Sequence, residues 1–306
     1  MVVNVNPFFV TGRIPAAYFC DRVVESKVLS QALLSQMNVV VTSPRRMGKT
    51  ALVDFVFQQE VIQKDYFTID VDILHTTCFK EFIYALGTAA YDKIASRSDK
   101  MKRLFIATLR SLSASFGYDP IQNTPTFDIK LGDITTPDYT LREIFNFMEQ
   151  ADKRCLVVID EFQQITKYPE KNIEAVLRSY IQKMSNANFV FAGSQRTVLE
   201  EMFLSSRRPF FQSAKLMQLD AIELSVYQDF VVGHFREGGK DINPEAVEVA
   251  YRSLRGVTLY MQRVMKGAYA TTPQGATCDE RLVEQLIDDF VAENDYRIRG
   301  LLAYIS

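Results

Sequence analysis

The sequence has few of the residues that build metal sites and disulfide frameworks. Among 306 residues there are only four cysteines and two histidines. Cys20, Cys78, Cys155 and Cys278 lie far apart and form no C-x-x-C pair, which argues against a structural zinc site and a disulfide framework. We interpret these cysteines as reduced packing residues, as expected of a cytoplasmic protein.

Long apolar runs and an excess of charge of either sign are also missing. No segment approaches the roughly 18 apolar residues of a membrane span, and the start, MVVNVNPFFVTGR, lacks a basic segment followed by an apolar stretch. Lys plus Arg number 35 against 37 for Asp plus Glu. The sequence therefore predicts no membrane partner and gives no global charge that indicates nucleic acid.

Five short segments are typical of buried β-strands. Three of them are nearly continuous apolar runs, as expected of parallel strands covered on both faces. The five segments are residues 38–43, 66–73, 155–161, 188–194 and 214–222. Between them the apolar residues recur with helical spacing. This alternation predicts an α/β fold, with a parallel sheet flanked by helices.

Two regions depart from the alternation. From residue 223 the strand pattern stops and helical patterns follow, so we expect an α/β domain over 1–222 and a small helical domain over 223–306. An insertion is expected over about 96–140. Within it Phe127, Ile129 and Leu131 alternate with polar residues, which predicts a hairpin or an irregular excursion.

The segment TSPRRMGKT, residues 42–50, is close to the phosphate-binding pattern G-x-x-x-x-G-K-[ST], with Ser43 in place of the first glycine. It follows a strand pattern and precedes a helical one, which is the setting the motif requires. The Lys49 ammonium would contact the β- and γ-phosphates, and the Thr50 hydroxyl would bind Mg²⁺. The predicted nucleotide-binding residues are Ser43, Arg46, Met47, Gly48, Lys49, Thr50 and Ala51. Arg45 and Arg46 could equally face solvent or a partner.

The strand CLVVIDE supplies the acidic half of such a site. Asp160 would hold Mg²⁺ through water, and Glu161 is placed to polarise the attacking water. Ser194 ends the next strand pattern; it would either hydrogen-bond the γ-phosphate or the water, or cap a turn. The sequence lacks the [NT]-K-x-D guanine motif after the acidic strand, which favours ATP.

Arg207 and Arg208 precede the last strand pattern in the segment SSRRPFF. Two interpretations stay open for this pair. Either arginine could contact a γ-phosphate across a subunit interface as a catalytic group, or both could form a solvated surface pair. The pattern alone does not distinguish them.

Together these motifs resemble the prokaryotic AAA+-like P-loop ATPases related to the STAND class (signal-transduction ATPases with numerous domains), often called archaeal-type ATPases. The segments SPRRMGKT, VVIDEFQQI and AGSQRTVLEEMF look like that family's phosphate loop, acidic strand and sensor strand. Serine in place of the first glycine is familiar there. The resemblance implies a sheet of order 5-1-4-3-2, a helical lid, ATP with Mg²⁺, and a switch-like use of hydrolysis.

Three segments depart from the family's pattern. The N-terminal F-x-G-R-E element reads Phe19-Cys20-Asp21-Arg22-Val23, so Arg22 is kept as a nucleotide-binding candidate while the glycine and glutamate are absent. The lid motif G-x-P reads Gly256-Val257-Thr258 and loses its proline. The segment P-L-Y-G-R reads PFFQS over 209–213. Either Arg207 or Arg208 therefore replaces the missing arginine, or hydrolysis is slow.

The preferred hypothesis is a slow, Mg²⁺-dependent ATPase that acts as a molecular switch through a protein partner or self-association. One alternative is a nucleotide-binding interaction module with negligible turnover. The other is a DNA-associated regulatory ATPase, which the near-neutral charge disfavours.

Overall fold

The computed structural model describes residues 5–20, 22–119, 124–127 and 130–305. Asp21 of the N-terminal element and Ile129 of the alternating segment lie outside the described residues. The chain divides into two compact units. A helical unit contains Met1–Val24, Arg45–Phe55 and Asp220–Ser306, and a sheet unit contains Glu25–Pro44 and Val56–Leu219. The predicted boundary at residues 222 and 223 stays a prediction.

Nine strands are present among the described residues, five of which form one parallel sheet. In chain order they are β1 (Val39–Thr42), β2 (Tyr66–Asp72), β3 (Phe116–Asp119), β4 (Thr124–Phe127), β5 (Arg154–Asp160), β6 (Ala187–Gly193), β7 (Lys215–Gln218), β8 (Asp241–Ile242) and β9 (Thr277–Cys278). The main sheet has the order β2-β5-β6-β1-β7. Counted along these five strands, this confirms the expected order 5-1-4-3-2.

Twelve α-helices accompany the strands over the described part of the chain. They are α1 (Val23–Leu34), α2 (Lys49–Phe57), α3 (Glu60–Asp65), α4 (Phe79–Lys93), α5 (Asp99–Thr108), α6 (Pro137–Glu149), α7 (Ile173–Ile181), α8 (Arg196–Leu204), α9 (Leu224–Glu237), α10 (Pro244–Ser253), α11 (Thr258–Thr271) and α12 (Glu280–Ile305). The predicted strand over 214–222 is shorter in the structure, since β7 ends at Gln218.

The central strands form as predicted because their residues suit burial on both faces. Every residue of β6 is buried, and five consecutive residues of β5 are buried. Next to the loop that follows β5, the rings of Phe162, Phe191, Phe203 and Phe210 form an aromatic cluster. The centroid of Phe162 lies 4.6 Å from that of Phe191 and 5.4 Å from that of Phe210. Such rings contribute a large buried apolar area. The aromatic cluster therefore fixes the chain next to the acidic strand end.

Two short strand pairs lie outside the main sheet. β3 and β4 pair antiparallel, which is the arrangement expected of a hairpin in the insertion. β8 and β9 pair parallel in the helical unit, with two residues each. The sequence did not predict this pair, because two residues are too few to show an alternating pattern.

No described helix is long and apolar enough to cross a membrane. Within the same residues, no group of three or more His, Cys, Asp or Glu side chains is arranged to hold a metal ion.

Candidate functional site

The loop after β1 has the geometry of a phosphate-binding turn. Gly48 has a φ of +88°, a left-handed conformation that favours glycine, and α2 begins at the next residue, Lys49. Leu52 N donates to Gly48 O at 2.9 Å, which is a hydrogen bond of the helical i to i−4 type. The amides of Lys49, Thr50 and Ala51 therefore lie in the first turn, where an α-helix provides no backbone acceptors and favours anions.

Ser43 occupies the position of the missing first glycine. Its side chain is buried, and its hydroxyl donates to the carbonyl of Pro44 at 2.8 Å. The hydroxyl is thus satisfied within its own turn, which explains how a small polar residue is accommodated here. Lys49 is also buried, at 7% exposure, whereas Thr50 is exposed.

Arg22 contacts the backbone of the phosphate loop. Its guanidinium is buried and donates to the carbonyl of Met47 at 3.2 Å and to that of Asp220 at 2.7 Å. An arginine shared between two carbonyls holds both segments in place. Its role in nucleotide binding stays a prediction.

The start of α11 also contacts the phosphate loop. Leu259 N donates to the carbonyl of Arg46 at 3.0 Å, and the Thr258 hydroxyl donates to that of Met47 at 3.4 Å. The Arg46 guanidinium hydrogen-bonds the Tyr260 hydroxyl and lies 5.1 Å from the centroid of its ring. Thr258, which replaces the family's proline, thus supplies a donor that proline lacks.

The acidic residues lie at the carboxyl edge of the sheet unit. β5 ends at Asp160, and β6 ends at Gly193, which pairs level with Thr42 at the end of β1. Strands in a parallel sheet all end at the same edge. Glu161 and Ser194, which follow β5 and β6, therefore lie at one edge of the sheet unit.

Glu161 and Ser194 are brought together at this edge. The Ser194 hydroxyl donates to Glu161 Oε2 at 2.9 Å, and Ser194 N lies 3.4 Å from the same oxygen. Glu161 has a φ of 55°, a left-handed conformation that is uncommon for a residue with a side chain. Its backbone N–H donates to Asp160 Oδ1 at 2.9 Å. Ser194 therefore orients the carboxylate that the sequence predicted as catalyst.

Gln163 is a further contact of Glu161 that sequence reasoning missed. Its side-chain Nε2 donates a hydrogen bond to Glu161 Oε2. The residue is buried, at 2% exposure. Its spacing of two residues after the glutamate was the only available signal, and spacing alone does not show which way a side chain points in an irregular turn.

Arg207 and Arg208 have different environments. Arg207 is exposed. Arg208 forms an ion pair with Glu174 of α7 at 2.5 Å and lies 3.5 Å from Glu201 of α8. Burial raises the pKa of Glu174, while the charge and hydrogen bond of Arg208 lower it. Arg208 thus links α7 to α8.

Arg208→Ala should lower the free energy of unfolding by about 1–3 kcal/mol at pH 8, because it leaves Glu174 partly buried and without this ion pair. The pKa of Glu174 then rises further above its ordinary value of 4.5. At pH values between the ordinary pKa and the raised pKa of Glu174, the folded chain binds more protons than the unfolded chain. The free energy of unfolding therefore falls as the pH rises through this range. Urea unfolding at pH 5 and pH 8 measures the difference.

The deficit of Arg208→Ala should be smaller at pH 5, where Glu174 is more fully protonated in the folded state. Arg207→Ala is the matched control and should have little effect at either pH, because its side chain is exposed. Equal deficits at both pH values would show that the pairing with Glu174 is not the cause.

Comparisons with known proteins agree with this arrangement. Residues 19–264 match the family described as the ATPase domain predominantly from Archaea. A Walker-type ATPase of Pyrococcus abyssi has a similar structure, with a TM-score of 0.66 and 15% identity over 97% of this chain and 79% of that chain. The ORC2 protein of Aeropyrum pernix, solved in ADPNP and ADP complexes, has a TM-score of 0.59 and 15% identity over 93% and 71%.

The Cdc6 protein of Pyrobaculum aerophilum has a similar fold as well, with a TM-score of 0.55 and 11% identity over 86% of this chain and 64% of that chain. A search of the curated proteins finds no match to this sequence. Because the family match covers most of the sequence, this chain belongs to the family of ATPase domains found predominantly in Archaea.

Proposed function

We propose that the protein is a slow, Mg²⁺-dependent ATP-hydrolysing switch related to the STAND class. The observation that carries this proposal is the phosphate loop, in which Gly48 turns the chain directly into the first turn of α2. Helix N-termini of this kind favour bound phosphates. Lys49 adds a full positive charge for the β- and γ-phosphates. In this role Ser43, Arg46, Met47 and Ala51 shape the loop.

Both predicted ligands of Mg²⁺ are oxygen donors. This ion prefers one or two protein oxygens together with phosphate oxygens and water. Thr50 offers an exposed hydroxyl, and Asp160 offers a partly exposed carboxylate at a strand end. When bound, Mg²⁺ would neutralise charge on the phosphates.

Glu161 is the proposed general base. Its carboxylate is partly exposed and oriented by Ser194, so it is suited to accept a proton from a water molecule. Asp160 holds the backbone of Glu161 through its own carboxylate oxygen. Arg207 is the remaining candidate for contact with a γ-phosphate from a neighbouring subunit, because Arg208 already pairs with Glu174.

The contacts of α11 support a lid that responds to nucleotide. Its first residues hydrogen-bond the carbonyls of Arg46 and Met47. Any movement of these carbonyls on phosphate binding therefore strains or releases the start of α11. Residues 223–306 would report the nucleotide state to a protein partner in the cytoplasm or to a second copy.

Tyr260→Ala should weaken ATP binding about 2- to 10-fold, because it removes both the hydroxyl and the ring that hold Arg46. Tyr260→Phe keeps the ring and should show a smaller loss. Titration calorimetry with Mg²⁺-ATP measures both affinities. An unchanged affinity for Mg²⁺-ATP in Tyr260→Ala would show that this contact of α11 with the phosphate loop does not contribute to ATP binding.

A nucleotide-binding module with negligible turnover is the second candidate function. It is favoured by one observation, the ion pair that occupies Arg208, since an arginine held this way is less available to a γ-phosphate. Phosphate release from Mg²⁺-ATP by the purified chain decides between the two. Release no faster than that of an inactive Glu161 variant would overturn the switch.

A DNA-associated regulatory ATPase is the third candidate function, and it is tested separately. The ORC1 protein of Aeropyrum pernix, which has a TM-score of 0.56 and 13% identity, was solved in complex with DNA. Binding of this chain to duplex DNA with a steep salt dependence would support that function.

A further inference from the structure

The Gln163 side chain places a polar group where an apolar one would pack more easily. The residue is 2% exposed. Among the described residues, no donor reaches its buried Oε1. A buried acceptor without a partner costs free energy, which a methionine of similar length would not. The amide therefore needs a reason other than stability.

The other end of the amide supplies that reason. Gln163 Nε2 donates to Glu161 Oε2, the same oxygen that accepts from Ser194 N and Oγ. Donors from two chain segments thus converge on one carboxylate oxygen. The reverse orientation of the amide would place its oxygen against the carboxylate, where the two would repel.

Gln163 also depends on Gly193 for its position. A Cβ atom built on Gly193 would lie only 2.0 Å from Gln163 Oε1 and 2.7 Å from Leu199 Cδ1. Any larger residue at the end of β6 would therefore displace the amide. The glycine and the glutamine together leave room for one arrangement of this turn.

The backbone of the turn is fixed as well. Phe162, which lies between Glu161 and Gln163, packs its ring into the aromatic cluster. With the backbone anchored, the remaining freedom of Glu161 is the rotation of its side chain. Gln163 and Ser194 remove that freedom.

We propose that Gln163 is a positioning residue for ATP hydrolysis. With Ser194 it holds Oε2 of Glu161 and so orients the carboxylate that takes the proton of the attacking water. The water oxygen then bonds the γ-phosphorus while the bond between the γ-phosphorus and the bridging oxygen breaks. ADP leaves with the electron pair of the broken bond. This inference rests on the proposed role of Glu161 as general base.

Gln163→Met tests the inference, because methionine has the same length and no donor. The kcat for ATP hydrolysis should fall about 10- to 100-fold, since a misplaced catalytic group costs rate steeply. The KM for Mg²⁺-ATP should stay within about twofold, and the Tm should be unchanged or higher, because the unpaired buried oxygen is gone. Steady-state kinetics and thermal unfolding measure the three quantities.

Gln164→Met is the matched control. Its Nε2 donates to the carbonyl of Thr76 at 2.9 Å, so the same chemical change is made one residue further on. Its kcat should stay within about twofold of the unchanged chain. A normal kcat in Gln163→Met, or an equal loss in both variants, would overturn the inference.

Gly193→Ala is a second test, which displaces the Gln163 side chain without replacing it. It should lower kcat while ATP affinity is retained, and its effect should not add fully to that of Gln163→Met. If Gln163→Met fails to fold, a normal kcat in Gly193→Ala overturns the inference. An active Glu161→Gln variant would instead overturn the proposed base, which separates the two failures.

Discussion

Glu161→Gln should lower kcat for ATP hydrolysis about 10²- to 10⁴-fold, the usual contribution of a general base. Glutamine keeps the size of the side chain and still accepts the hydrogen bond of the Ser194 hydroxyl, but it accepts no proton from water at neutral pH. Affinity for ATP should stay close to that of the unchanged chain. Phosphate release and titration calorimetry measure the two effects separately.

Asp72→Asn is the matched control for Glu161→Gln. Asp72 pairs level with Asp160 at the end of the neighbouring strand, and it is exposed. Its loss should change kcat by less than about twofold, as for most surface substitutions. A Glu161→Gln variant that hydrolyses ATP at the normal rate would place the base elsewhere.

Lys49→Ala should abolish the rise in Tm that Mg²⁺-ATP gives the unchanged chain. Ligand at about 100 times its Kd adds roughly 2.7 kcal/mol to the folded state, which corresponds to a rise of about 5 °C for a chain of this size. The ammonium supplies the full charge for the phosphates, and alanine supplies none. Differential scanning fluorimetry with and without Mg²⁺-ATP measures the shift.

For Lys49→Ala, the quantity to compare is the difference between the Tm with Mg²⁺-ATP and the Tm without it. The Tm without ligand changes as well, because a buried side chain is lost. Arg45→Ala changes an exposed cation of the same loop and should retain most of the shift. If the shift persists in Lys49→Ala, the nucleotide binds at another place on the chain.

The main sheet was predictable because its signal is local. Residues 155–161 and 188–194 each contain a nearly continuous apolar run, and the structure gives β5 and β6 within one residue of these bounds. The end of the last strand was less predictable. Residues 214–222 read as one strand pattern, but β7 stops at Gln218. The sequence pattern does not show where the pairing of β7 with β1 ends.

The site was predictable in part. The sequence named Lys49, Thr50, Asp160 and Glu161 from motifs whose spacing is fixed by a strand, a turn and a helix start. It left the role of Ser194 open between phosphate, water and a turn. In the structure its hydroxyl donates a hydrogen bond to Glu161.

By itself, the sequence determined the order of strands and helices and the loop that turns into α2, because these depend on residues close together in the chain. Only the tertiary structure decided which side chains meet. Ser194 reaches Glu161 from 33 residues away, and Arg46 meets Tyr260 across 214 residues. Such contacts depend on strand register and helix packing, which no local pattern encodes.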